Sequence, residues 1–86
     1  MPFVQELFVE AHFAIADCKD AANTKYFDEE ANAAKEAVKQ AVEEFSRLVG
    51  DLDDDDQKTR VLRGNGLKVE QLKGELEMAL HGGHHH

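Results

Sequence analysis

The stretch FDEEANAAKEAVKQAVEEFSRLVG, residues 27–50, decides the fold. Its apolar residues Phe27, Ala31, Ala34, Val38, Ala41, Phe45 and Leu48 step by four and three in strict alternation. That spacing keeps them on one side of an α-helix. The rest of the stretch is rich in Ala, Glu and Lys, all good helix formers. Asp28, Glu29 and Glu30 fall in the first turn, where the positive end of the helix dipole favours them. Thr24 or Asp28 stands where a cap belongs, and Glu43 and Arg47 form an i,i+4 pair. Gly50 is placed to end the helix in the left-handed conformation. A helix of this kind owes its stability to packing, so the stripe needs a second apolar face, from this chain or from a partner.

Upstream, Val4, Phe8, Ala11, Ile15, Cys18 and Ala22 repeat the same spacing, and Leu7 and Ala14 widen that face. A helix running from Pro2 or Phe3 to Ala22 is expected, with Pro2 in the first turn where its missing N–H costs nothing. Val9, Phe13 and Ala16 form a second, narrower strip roughly opposite the first. A surface helix normally has one stripe. The second strip is therefore either covered by another helix of the chain or meets another molecule. Asn23, Thr24 and Lys25 break the phase between the two helices and reverse the chain.

Downstream, the spacing is weaker. A short helix is expected from Leu52 to Arg63, capped by Asp51, with Asp53 to Asp56 in its first turns and only Leu52, Val61 and Leu62 as large apolar residues. Gly64-Asn65-Gly66 reads as a turn. A last helix follows from Leu67 to His81, with Val69, Leu72, Leu76, Ala79 and Leu80 on one face. The rival parse runs one helix through the glycines, with Leu62, Asn65, Val69, Leu72, Leu76 and Ala79 as its seam and Asn65 as a register-fixing polar residue. The turn is preferred because each glycine costs about 1 kcal/mol in a helix interior. No strand pattern occurs. The expected fold is all-α: an antiparallel helical hairpin closed by C-terminal helices into a small three- or four-helix bundle. The Val9/Phe13/Ala16 strip is a possible seat for the last helix.

The 86 residues make one domain, assigned to residues 1–81. Residues 82–86, Gly-Gly followed by three histidines, read as an affinity-tag remnant or disordered tail. The net charge is −8. It is divided into −10 over residues 1–57 and +2 over residues 58–86. An acidic body repels nucleic acid and anionic lipid, and attracts basic partners. The start of the chain lacks the basic segment of a secretory signal, no apolar run reaches the length of a membrane span, and one cysteine offers no disulfide. A cytoplasmic, reducing location is expected.

Chemistry-bearing patterns are sparse. The Asp51–Asp56 run has oxygens at the first, third and fifth positions of a calcium loop. However, Asp56 stands where glycine is needed and Leu62 where the bidentate glutamate is needed. Cys18 lies on the main apolar stripe and reads as a small hydrophobe. His12 is about 120° away around the helix and cannot act as its base. Lys58, Arg60, Arg63 and Lys68 form a basic island with no interleaved aromatic for base stacking. Gly64-Asn65-Gly66 lacks the strand, spacing and Lys-Ser/Thr of a phosphate loop. No catalytic, cofactor or metal residues are assigned.

The expected function is therefore that of a small acidic protein-interaction module, an adaptor or regulatory subunit without catalytic activity, binding another protein or itself. Its expected contact residues are Val9, Phe13, Leu67 and Met78, with no nucleic acid or membrane as partner. The alternative is a cation- or ligand-binding helical protein that uses the Asp51–Asp56 run or the terminal histidines.

Overall fold

The computed structural model describes residues 4–81; the expected start at Pro2 or Phe3 and the tag-like tail at 82–86 lie outside them. Three helices pack together: α1 (Val4–Asp20), α2 (Phe27–Gly50) and α3 (Asp55–His81). Among the described residues there is no strand. Phe8 near the start of α1 meets Phe45 near the end of α2, with ring centroids 6.3 Å apart and planes inclined by 42°. α1 and α2 therefore run antiparallel. His12 touches Glu75, and further along α1, Cys18 touches Ala79, so α1 and α3 run parallel. The path is up, down and up again, in a body of 47 × 27 × 14 Å.

The core is the junction of three stripes. α1 contributes Leu7, Phe8, Ala11, Ile15 and Cys18; α2 contributes Ala31, Ala34, Val38, Ala41 and Phe45; α3 contributes Val69, Leu72 and Ala79. Ala11, Ala34 and Ala41 are completely buried. Small side chains at these facing positions let α1 and α2 approach closely, while Phe8 and Phe45 fill the wider end. The seam of α2 leaves its heptad at the end: Leu48 is 47% exposed, and Val49 packs on the core instead. An α-helix drifts by about 20° per strict heptad, so after three repeats a step of four holds the core better than a step of three.

The last helix ends at His81 and α2 starts at Phe27 as expected, but the two connections are built differently from the simplest local expectation. α1 closes at Asp20, and Asn23 takes a left-handed φ of 68°. Asparagine tolerates that conformation better than other residues with a Cβ. The Thr24 hydroxyl donates to the Ala21 carbonyl at 2.6 Å and accepts the Tyr26 N–H at 3.2 Å. Thr24 thus fastens the turn, while the N-cap position of α2 is Tyr26, with no side-chain cap. Asn23→Ala is expected to lower stability by about 1 kcal/mol, and Asn23→Gly to leave it unchanged or raise it, as read by urea unfolding.

Gly50 is helical rather than left-handed, and the Asp51 N–H donates to the Arg47 carbonyl. Arg47 pairs with Glu44 at 2.9 Å, leaving Glu43 to Lys39 at 3.9 Å. The third helix starts later than expected: Asp54, and not Asp51, is the cap, its carboxylate accepting the Asp56 N–H at 2.9 Å.

The largest correction concerns Gly64-Asn65-Gly66, which is helix. α3 is continuous over 27 residues, so there is no separate third and fourth helix. Half-buried Asn65 donates through Nδ2 to the Val61 carbonyl at 3.3 Å. Val61 packs on the core before the glycines, and Val69 and Leu72 pack on it after them. Leu62, placed in the seam by the rival parse, is 48% exposed. Burying each of these side chains contributes roughly 1.5–3 kcal/mol when complete. Together they outweigh the roughly 2 kcal/mol that two interior glycines cost.

Candidate functional site

α1 turns its wide stripe to the core and leaves its second strip outward. Val9 is 52% and Phe13 68% exposed, and Ala16 is exposed with them. The last helix therefore does not sit on this strip. Parallel to α1, it meets the flank that carries His12 and the buried stripe at Cys18. On α3, Leu67 and Met78 are 67% and 72% exposed. None of Val9, Phe13, Leu67 and Met78 belongs to the buried cluster.

Of these four, Val9 lines a groove between two helices. Between α1 and α3 runs a groove lined by Gln5, Phe8, Val9, His12, Lys68 and Gln71. At about 100° per residue, Leu67, Gln71, Gly74 and Met78 share one stripe of α3. Val9 therefore stands on one lip of the groove and Lys68 and Gln71 form the other, with Leu67 and Met78 outside the lining on the same stripe of α3 as Gln71. Phe13 is one turn beyond Val9, further out on α1. Met78 also edges a shallow depression with Gly74, Glu77 and His81. His12 Nδ1 meets Glu75 Oε2 at 3.0 Å across the two helices, both side chains about half exposed. An exposed pair of this kind contributes little energy, and it marks the register of α1 against α3.

The other chemistry-bearing residues stay apart. Cys18 is fully buried and its thiol faces the Ala79 carbonyl at 3.9 Å. Burial, and secondarily the charge of Glu30, push its pKa above the ordinary thiol value. Both effects suppress the thiolate that reactivity requires. The Asp51–Asp56 carboxylates are exposed around the α2–α3 connection. Among the described residues no three His, Cys, Asp or Glu side chains are grouped to hold a metal ion. The terminal histidines of the alternative reading lie outside the described residues. Lys58 is half-buried in the first turns of α3, and Arg60, Arg63 and Lys68 are exposed beyond it.

Sequence reasoning did not single out Tyr26, which is 55% exposed at the start of α2. It lines a depression with Asp17, Asp20, Ala21, Thr24 and Glu30, and the Lys25 ammonium lies 5.3 Å from its ring centroid. Its position just before the α2 stripe carried no periodic signal, because the residue sits in the turn.

The model of the embryogenesis-like protein helical domain matches residues 2–81, almost the whole chain. The chain belongs to this family. Within it, a curated relative from Arabidopsis thaliana, named embryogenesis-like protein, is 44% identical over 70 residues. The match covers 81% of this chain and 39% of the relative, so the chain spans well under half of that protein. No solved structure matches the chain. Among the described residues no helix is long and apolar enough to cross a membrane.

Proposed function

We propose that this embryogenesis-like helical domain is a non-catalytic protein-interaction module, an adaptor or regulatory element, that binds through the face formed by α1 and α3. The observation that carries the reading is the exposure of Val9, Phe13, Leu67 and Met78 around a core that is already closed without them. A single exposed apolar residue needs no explanation, but several sharing one face mark a contact surface. The groove between two helices, with the apolar Val9 on its α1 lip, fits the way helical segments are recognised. The single free thiol, Cys18, is consistent with a reducing, cytoplasmic setting.

Site-specific photo-crosslinking tests this reading in cells that express the full-length protein. A photoreactive phenylalanine analogue at position 13 is expected to give a discrete adduct of defined mass. The same probe at position 36, on the exposed side of α2, is expected to give none. Equal yields from the two positions would reject the interaction face.

A further inference from the structure

We propose that the occupant of the outer face of α1 is a basic amphipathic helix of another protein, its apolar stripe over Val9, Phe13 and Ala16 and a Lys or Arg side chain in the depression at Tyr26; this rests on the interaction reading above. Two observations on different parts of the surface carry it.

The first is the charge around Phe13. At about 100° per residue, Glu6, Glu10, Asp17 and Asp20 all project within about 60° of the Phe13 direction, as do Val9 and Ala16. All seven residues are exposed. The only basic residue of α1, Lys19, points about 120° away. The face is thus an apolar strip with an acidic border. On the side of α3, one cation, Lys68, lines the groove beside Val9. The border is most acidic on the other side, towards α2, and that is where the partner's positive charges belong.

The second observation is the depression at the end of the same face. Asp17, Asp20 and Glu30 surround it, and the exposed Tyr26 ring forms part of its wall. Three carboxylates beside an aromatic face suit an ammonium or guanidinium group. The Lys25 ammonium already stands over the Tyr26 ring, 5.3 Å from its centroid, so the ring face is open to a cation.

A second copy of the chain fits this face poorly. Pairing two α1 outer faces would set four carboxylates against four others, between bodies that each carry a net charge of −8. Of the basic residues of α3, Lys58 and Arg60 follow closely on Asp53 to Asp56, which offset them.

The test uses two fluorescent helical peptides with the same leucine stripe, one flanked by lysines and one by glutamates, titrated against the full chain by anisotropy. The lysine peptide is expected to bind and the glutamate peptide to bind at least about tenfold more weakly. Phe13→Ser is expected to weaken the lysine peptide about tenfold or more, as loss of a central aromatic anchor does. The double variant E10K/D17K should weaken it similarly. E29K/E36K, which changes the net charge equally on exposed positions of α2, should leave affinity within about threefold. Equal losses from the two double variants would reduce the attraction to diffuse charge and overturn the proposal. Equal, Phe13-dependent binding of both peptides would overturn the basic partner and leave the interaction module standing. Binding of neither peptide would overturn the basic helix and count against the face itself. A dimer in light scattering that Phe13→Ser dissociates would make a second copy the occupant and overturn it too.

Discussion

Leu72→Ala is expected to remove most of the stability of this domain. Leu72 is only 1% exposed, at the point where α3 meets the other two helices. Truncating such a residue loses its transfer free energy and leaves a cavity, together about 3–5 kcal/mol. At about 0.05–0.15 kcal/mol per residue the domain has only about 4–13 kcal/mol to lose, and small cores sit at the low end, so the variant should lose most of it. At about 4–8 °C per kcal/mol, its melting temperature should fall by roughly 12–40 °C. Leu67→Ala, five residues earlier on the same helix, provides the contrast. Leu67 is 67% exposed, and its loss should change stability by no more than about 0.5 kcal/mol. Thermal unfolding followed by far-UV circular dichroism reads both. Similar losses from the two variants would mean that α3 presents a different face to the core.

The second large effect runs the other way. The pair Gly64→Ala and Gly66→Ala should stabilise the domain by about 1.5–2 kcal/mol, raising its melting temperature by roughly 6–16 °C. Both glycines lie inside a continuous helix and neither has positive φ. A Cβ at either position would meet nothing within 4 Å. Alanine then gains helix propensity and restricts the unfolded chain, with no steric cost. If these residues formed a turn that required left-handed glycine, the same change would destabilise the protein. The sign of the shift therefore decides between one long helix and two short ones.

Much of the fold is legible in the local spacing. The stripe from Phe8 to Cys18 and the stripe from Ala31 to Phe45 are both buried as their three-and-four steps imply. The second strip of α1 is also visible in the residues, and its exposure is what makes it a candidate site. Less legible are the ends. Asp51, Asp54 and Asp28 are all acceptable caps by residue type, and only the path of the connection selects Asp54 for α3 and leaves α2 without a side-chain cap. Tyr26 is invisible to periodicity because its importance comes from Asp17, Asp20 and Glu30, contributed by two helices.

The sequence by itself determined that the chain is helical, where its two strongest apolar stripes lie, and that its body is acidic. These follow from side-chain spacing and composition, which are properties of neighbouring residues. The tertiary structure decided that α3 runs unbroken through two glycines, that Val49 replaces Leu48 at the end of the α2 seam, and that α3 lies beside α1 without covering Val9 and Phe13. The physical reason is one of scale. Local preferences differ by at most about 1 kcal/mol per residue, whereas burying Val69 and Leu72 against α1 and α2 brings several kcal/mol from partners far away in the chain.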